Sequence, residues 1–319
     1  MPTITFQNHD YELTQDETVL EGLLRQGVDY PHACRAGSCQ SCLTCAEKGA
    51  VKQDWQQGLK PTLASRHYFL PCLAYADQDM AIALPGDDRD VTDKATIVEL
   101  VYLSKQVVAV KLAVDDLNHW TPGCYINLIN SAGVIRSYSI ANQPYNEGVI
   151  ELHIKLVPQG RMSEWLIHQA QVGAQVKIRG PIGDCFYCNP DNASFPLVLA
   201  GTGTGLAPLR AIALEALAQN HVGDIYLLHG GLTAADLYLD TQLKQLAQQH
   251  PQLHYRTCTL HQETDHTQMP IDQLLVDCLS DLSQPRVYLC GPDETIKPLK
   301  MKAFLAGVNS QHIVSDAFV

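Results

Sequence analysis

Hydrophobic and polar positions change rhythm twice along the 319-residue chain. The opening runs TITFQN and YELT are short and predict a hairpin. ETVLEGLLRQG is apolar at a helical period and closes on Gly27, which predicts an amphipathic helix. MAIALP predicts a closing strand before Leu84–Lys94, a Pro/Gly-led, charged stretch without apolar period that reads as a linker. From about Ala95 to Asn189 short alternating runs follow: ATIVELVYLS, QVVAVKLAV, CYINLIN, VIRSYSIA, GVIELHIKLV and AQVKIRGPIG. Punctuated by Gly, Asn and Pro, they predict a small antiparallel barrel, interrupted by one helix at MSEWLIHQ. From Phe195 the strand-like runs PLVLAGT, DIYLLHGG, LHYRTCTL and RVYLCGP alternate with helical runs such as LAPLRAIALEALAQ and MPIDQLLVDCL. Alternation of this kind predicts a doubly wound parallel sheet. The expected fold is multidomain, α+β and α/β, with segments 1–88, 95–190 and 195–319.

Composition adds limits. With 46% apolar and 18% charged residues the chain is wholly foldable, and its length predicts two or three domains. A net charge of −12 argues against a nucleic-acid partner. Through residue 90 thirteen acids face seven bases, so the first segment carries about half of the excess. That surface serves either docking onto a basic patch or plain solubility. No run of eighteen apolar residues exists, and MPTITFQNHD has neither a basic nor an apolar signal region. The expectation is a soluble, cytosolic, monomeric protein with no membrane partner and reduced thiols.

The cysteines sharpen this. Cys34, Cys39, Cys42 and Cys72 stand as C-x4-C-x2-C-x29-C, the ligand spacing of a plant-type [2Fe–2S] centre. Gly37 and Ser38 let the loop wrap closely and aim amide groups at sulfide. The strand–strand–helix opening suits a β-grasp ferredoxin. Other readings fit less well. A zinc site shows paired knuckles, and Cys72 has no neighbouring partner. Cys42 and Cys45 form a C-x-x-C without the strand–helix context of a dithiol redox site. Cys39, Cys42 and Cys45 begin a [4Fe–4S] run whose fourth position falls on Gly49. Cys45 is therefore expected as a bystander, and the remaining cysteines form no disulfide framework.

Further motifs follow in the second and third segments. Arg136, Ser137, Tyr138 and Ser139 offer a guanidinium for a pyrophosphate, an aromatic plane for a flat ring and a hydroxyl for a ring nitrogen. They would equally serve as a strand with mixed faces. Gly160, Arg161, Met162 and Ser163 open a helix, where Ser163 is either part of an anion site or an ordinary N-cap. Gly201, Thr202, Gly203, Thr204 and Gly205 form a glycine-rich turn between an apolar strand and a helix, suited to a diphosphate, although Leu206 takes the third-glycine slot of the usual fingerprint. A plain tight turn is the alternative. Cys290, Gly291 and Pro292 end another apolar strand, where Cys290 is either core or a contact to nicotinamide. No Ser-His-Asp set, paired carboxylates or HExxH motif stands out among the thirteen histidines and the acids.

Together, C-x4-C-x2-C…C, R-x-Y-S, G-x-M-S, G-P-x-G at Gly180 to Gly183, G-T-G-T-G-L-A-P, C-G-P and a terminal D-A-F resemble the ferredoxin–NADP reductase superfamily. The resemblance covers the whole chain. It is closest to three-domain reductases of bacterial oxygenases, such as those of naphthalene and benzoate dioxygenases. It implies a [2Fe–2S] ferredoxin domain, an antiparallel Greek-key FAD barrel and an NAD domain. It implies that Arg136 holds the FAD pyrophosphate, Tyr138 packs on the isoalloxazine and Ser139 faces N5. His153, Ile154 and Lys155 would line that pocket, with Met162 and Ser163 at the phosphates. Phe318 would cover the opposite flavin face, loosely, since one residue follows it. The glycine turn and Cys290-Gly291-Pro292 would seat NADH. Gln40 departs from the small residue common after the second cluster cysteine.

The implied activity is NADH:acceptor electron transfer, from NADH through FAD and the cluster to a terminal oxygenase or an intermediate ferredoxin. A Rieske-type oxygenase of aromatic hydrocarbon catabolism is the leading partner; a diiron monooxygenase or a deoxysugar dehydrase is the alternative. A non-catalytic NAD(H) redox sensor or a zinc-stabilised nucleotide binder would be a different class. NADH is expected over NADPH. No Lys or Arg lies between Arg210 and Lys244 to meet a 2′-phosphate, and Asp236 would repel one; Arg256, on the next strand, is the residue that counts against this argument.

Overall fold

The computed structural model describes residues 1–85, 91–114, 120–144, 148–189, 193–261 and 266–318, with backbone alone at 91–94. The chain forms two compact units, Met1–Arg89 and Asp90–Val319.

In the first unit β1 (Thr3–Phe6) and β2 (His9–Glu12) pair through a turn in which Gln7 and Asn8 have φ of 50° and 61°. Two left-handed residues give the tight hairpin twist that antiparallel neighbours require. Helix α1 (Val19–Arg25) starts at Thr18, which exchanges hydrogen bonds with Glu21 in a capping box. Such a cap contributes about 1 kcal/mol. The helix buries Val19, Leu20 and Leu23 and stops at Gly27, whose φ is +82°. Strands β3 (Thr44–Lys48), β4 (Tyr68–Phe69) and β5 (Met80–Ala83) and the short helix α2 (Pro61–Ala64) complete it. The order is β2-β1-β5-β3-β4, with β5 parallel to β1 and the other pairs antiparallel. Ile4, Leu20, Leu23, Tyr30, Phe69 and Ile82 fill the core.

The second unit holds two sheets. In the first, β6 (Val91–Tyr102), β7 (Val107–Val114), β8 (Tyr125–Ile129), β9 (Ile135–Ser139), β10 (Val149–Lys155) and β11 (Gln175–Ile182) run antiparallel in the order β10-β7-β6-β11-β8-β9. A bridge from Ile140 to Leu152 brings the end of β9 back to β10 and curls the sheet into a barrel. Helix α3 (Arg161–His168) adds Met162, Trp165 and Leu166 to a core of Val110, Leu112, Ile126, Leu128 and Ile154. Strand β6 starts at Val91 and pairs with β11 from there, four residues earlier than the linker reading allowed. The rest of that reading, residues 86–90, lies outside the described residues.

The second sheet is parallel. It comprises β12 (Leu197–Thr202), β13 (Ile225–Gly231), β14 (Leu253–Thr259), β15 (Thr267–Gln268), β16 (Arg286–Pro292) and β17 (Ile313–Phe318), in the order β15-β14-β13-β12-β16-β17. Helices α4 (Leu206–Ala218) and α5 (Asp240–Gln249) pack on one face with Leu199 and Leu227. On the other face α6 (Ile271–Leu279) and α7 (Asp293–Leu305) pack with Val198, Leu228 and Leu289. The chain moves outward from β12 in one direction and then returns to lay β16 on its other side. The carboxyl ends of β12 and β16 therefore flank the switch point, where open α/β sheets bind ligands. Strand β17 carries Phe318, whose cover of the flavin was expected to be loose, at its end. It pairs with β16 from Val287↔Ile313 to Pro292↔Phe318.

Candidate cofactor sites

The cluster loop lies between α1 and β3. Cys34 and Cys39 are exposed, whereas Cys42 and Cys72 are buried in the first core. The amide of Cys39 donates to Cys34 Sγ at 3.3 Å, and the amide of Cys34 to Cys39 Sγ at 3.4 Å. Ala36 and Ser41 amides add contacts at 3.4 and 3.5 Å. Cys42 Sγ lies 3.5 Å from Cys72 Sγ. The four sulfurs thus come as two pairs. Among the described residues no three His, Cys, Asp or Glu groups converge on one metal ion. Two pairs are instead the demand of a two-iron cluster, in which each iron takes two thiolates. The donor set fits, and the amides that wrap the sulfurs favour anionic thiolate.

Local chemistry sets the pairs apart. Hydrogen bonds from Ser41 and Cys34 hold the Cys39 thiol down to about 6. Burial pushes Cys42 up to about 11. Gly37, at φ +77°, lets the loop approach the fourth ligand's neighbour, because a Cβ there would meet Leu73 Cδ1 at 2.7 Å. Gln40, also left-handed at φ 57°, turns its amide to the Gly58 carbonyl at 2.9 Å. Cys45 sits on β3 with its sulfur toward the Arg66 carbonyl at 3.5 Å, outside both pairs.

The barrel residues fall into exposed and buried groups. Arg136 is exposed with its guanidinium donating to the Ile135 carbonyl, and Ser137 donates to Asn127 at 2.7 Å. Tyr138 is half-buried, and burial pushes its hydroxyl up to about 12, so it stays a neutral ring against the barrel core. Ser139 is buried and donates at 3.0 Å to Asp316 on β17. Lys155 and Arg161 are exposed, while Ile154 and Met162 are barrel core. Ser163 is inside α3, whose N-cap is Gly160. Its hydroxyl accepts the Val157 amide at 2.9 Å and closes the loop before the helix, so the N-cap role does not describe it. Gly160 permits that closure, since a Cβ would press on the Val157 carbonyl and Ser163 Oγ.

His153 is also spent within the protein. Its Nε2 lies 2.8 Å from Glu151 Oε1 and its Nδ1 3.1 Å from the Tyr238 hydroxyl. Burial holds the ring below its usual pKa, so it is neutral. Its side chain therefore faces the seam between barrel and parallel sheet, where both nitrogens are already engaged.

At the carboxyl edge the three glycines of the turn do different jobs. A Cβ on Gly201 or Gly205 would collide with the Cys290 carbonyl oxygen. These two glycines let the turn press on the Cys290–Gly291 backbone. Gly203 has φ +55° and open space beside it, so it alone leaves room for a ligand to approach. Helix α4 follows the turn with Gly205 as an N-cap that offers no side-chain bond, and its first amide, Leu206, turns back to the Gly203 carbonyl. This geometry fits a dinucleotide. Cys290 is buried, with Cys185 Sγ 3.6 Å away, and lies in register with Asp316 on β17. Ser139, Cys290 and Asp316 are thus brought to one place from three strands. Burial raises the Asp316 carboxyl above its ordinary pKa. Asp316 is the site residue without an assigned role in the sequence reading, although D-A-F contained it.

Asp236 caps the turn after β13, accepting from the Thr233 amide and hydroxyl at 2.9 and 3.1 Å. Arg256 lies over the Tyr226 ring at 5.4 Å, near the amino end of β13 rather than its carboxyl edge. Phe318 ends β17, half-buried and opposite Pro292.

Comparison with known proteins agrees with this arrangement. Residues 3–77 match the family described as 2Fe-2S iron-sulfur cluster binding domain. Residues 94–187 match the oxidoreductase FAD-binding domain and 199–300 the oxidoreductase NAD-binding domain. The chain is 30% identical over 313 residues to the ferredoxin–NAD(P)(+) reductase component of the naphthalene 1,2-dioxygenase system of Pseudomonas putida, covering 94% of this chain and 93% of that one. It is 32% identical over 303 residues to the reductase subunit of an aromatic O-demethylase from Amycolatopsis, covering 90% and 89%. The crystal structure of an Amycolatopsis cytochrome P450 reductase superposes with a TM-score of 0.69 at 26% identity, covering 100% of this chain and 99% of that one. The protein is an oxidoreductase with [2Fe–2S], FAD and NAD as its cofactors. The chain belongs to the family of iron–sulfur flavoprotein reductases that includes the reductase component of the naphthalene 1,2-dioxygenase system.

Proposed function

We propose that this protein takes electrons from NADH and passes them through FAD and the [2Fe–2S] cluster to a Rieske-type aromatic-ring dioxygenase, directly or through a separate ferredoxin. The observation that carries this reading is full-length similarity to the naphthalene system component, joined to two cysteine pairs and a seam that gathers Ser139, Cys290 and Asp316. FAD, when bound, supplies the conversion of a two-electron hydride into the single electrons that a cluster carries. The chain's residues do the rest. Arg136 would pair with the FAD pyrophosphate, and Tyr138 would lie against the flat ring. Gly203 and the α4 N-terminus would hold the dinucleotide diphosphate, placing nicotinamide beside Cys290. Ser139, held by Asp316, would orient its hydroxyl toward the reacting ring nitrogen. Asp316 would fix that hydroxyl by accepting its hydrogen bond, and Phe318 would shield the site edge. Residues 1–88, 95–190 and 195–319 would be the three functional segments, in a monomeric cytoplasmic protein.

NADH is favoured over NADPH because Asp236 occupies the turn after β13 and Arg256 is engaged with Tyr226. Equal kcat/KM for the two nicotinamides would refute that preference. A second reading, with a cytochrome P450 as acceptor, is favoured by the likeness to the Amycolatopsis cytochrome P450 reductase structure. The experiment is an anaerobic NADH titration followed by absorbance and low-temperature EPR, then reconstitution with a Rieske dioxygenase and with a P450. Flavin bleaching, a rhombic cluster signal and turnover with the dioxygenase support the proposal. Turnover with the P450 alone moves the assignment to the second reading.

A further inference from the structure

We propose that Tyr238 and His153 are positioning residues for hydride transfer, forming with Glu151 and Arg210 a buried clasp that fixes barrel strand β10 against the glycine turn. This rests on the reading that NADH reduces barrel-bound FAD. Glu151 and His153 belong to β10, which packs on the 3-10 turn Gly203–Gly205. Tyr238 and Arg210 belong to the parallel-sheet half and reach β10 from two elements, the segment before α5 and helix α4.

Hydrogen-bond directions follow from the charges. Glu151 stays anionic, because His153 and Arg210 outweigh its burial. The His153 Nε2–H therefore donates to Glu151 Oε1 at 2.8 Å, leaving Nδ1 to accept from the Tyr238 O–H at 3.1 Å. Arg210 lies 3.8 Å from the same Glu151 oxygen and donates at 2.8 Å to the Ala141 carbonyl. The side chain of His153 is fully buried, and the Tyr238 ring meets it edge-on at 5.4 Å.

A buried polar chain costs desolvation that an apolar contact would avoid, so its value lies in geometry. Apolar surfaces slide across one another, whereas a chain of directed hydrogen bonds fixes one rotation of β10 against the turn. The flavin would be held by the barrel and the nicotinamide by β16, so that rotation sets the distance between hydride donor and acceptor. A misplacement near 1 Å at that point costs on the order of 100-fold in rate.

The test is Tyr238→Phe in the full-length holoprotein, which keeps the ring and deletes one donor. The expected result is a limiting rate of flavin reduction at saturating NADH, by stopped flow, lower by about tenfold. The NADH dissociation constant should change by less than about twofold, and the isotope effect with C4-deuterated NADH should differ from wild type. Glu151→Gln should act in the same direction, and the double variant should lose less than the product of the two. Independently of turnover, 15N spectra of histidine-labelled protein should show His153 neutral with its proton on Nε2, and Tyr238→Phe should shift Nδ1. An Nδ1–H tautomer or a charged ring in wild type would overturn the clasp. An unchanged limiting rate and isotope effect, with the Nδ1 resonance shifted, would overturn the positioning role. Failure of NADH to bleach wild-type flavin would strike the proposed function instead, while the 15N spectra still test the clasp.

Discussion

The cluster loop and the seam of the second unit hold reactive groups by different means. Cys34 and Cys39 lie five positions apart in an exposed, irregular loop, and their sulfurs are organised by neighbouring amides. Ser139 and Asp316 lie 177 positions apart, both on strand ends, and meet in a buried seam through one hydrogen bond. Coordination bonds are short and directional, so a loop can carry a cluster while remaining open to solvent. The seam has no such covalent anchor. Its geometry depends on two packed sheets, a cluster of polar contacts and three glycines that admit close backbone approach. The difference teaches that the loop should fail when a ligand is removed, and the seam when packing or register is disturbed.

The harshest test of the first half is Cys72→Ser. Removing a buried ligand should abolish the rhombic EPR signal and reduce electron delivery to a protein acceptor to background. NADH–ferricyanide activity through FAD should survive. Cys45→Ser should leave the signal in place; the opposite pattern would reverse the ligand assignment. The seam is tested by Gly205→Ala. The added Cβ collides with the Cys290 carbonyl, and such overpacking costs about 1–3 kcal/mol, read by thermal unfolding. Flavin bleaching by NADH should fall with it while the cluster spectrum stays intact. An unshifted transition would mean that the turn and β16 are not tightly apposed.

Ser139→Ala should act more gently, leaving the Asp316 carboxyl without its donor. A lost hydrogen bond of about 1.4 kcal/mol corresponds to roughly a tenfold slower flavin reduction. A rate within twofold of wild type would remove Ser139 from the reacting centre. The smallest effect belongs to the surface of the first unit. The Arg25 guanidinium, 2.7 Å from Glu17, lowers that carboxyl to about 2 from 4.5. A depressed acid stabilises the fold above its unfolded pKa, and that contribution is lost as pH falls from about 4.5 through 2. Arg25→Met should therefore lower the stability only slightly near neutral pH, and the gap from wild type should close toward pH 2. A gap constant across that range would show that the ion pair does not carry it.

The same contrast decides how much was legible in the sequence. Four cysteines at fixed spacing named the cluster because metal geometry permits few separations. The barrel strands and the βα units followed from their alternation. Strands β3 and β4 escaped because Thr44 and Cys45 read as cluster loop and a two-residue strand has no period. Strand β17 escaped because IVSDAF is a short run at the chain end, and only pairing with β16 makes it a strand. The link between Ser139 and Asp316 left no local trace, since it spans two sheets. His153 was placed by family resemblance at a flavin pocket, yet its ring is claimed by Glu151 and Tyr238, neither of which any spacing connects to it. The glycine turn was read as one device for a diphosphate, but two of its glycines answer to the neighbouring Cys290 backbone.

The uneven exposure of the thiols has a practical use. Of the eleven cysteines, Cys34 and Cys39 are exposed and Cys45 is half-covered, whereas the other eight are buried. A maleimide or aromatic disulfide reagent added to the intact holoprotein therefore meets almost no available sulfur. Each molecule that sheds its iron uncovers two reactive sites in a single loop. A colorimetric titration without denaturant thus doubles as an occupancy assay, reporting the inactive fraction of a preparation before any electron is passed.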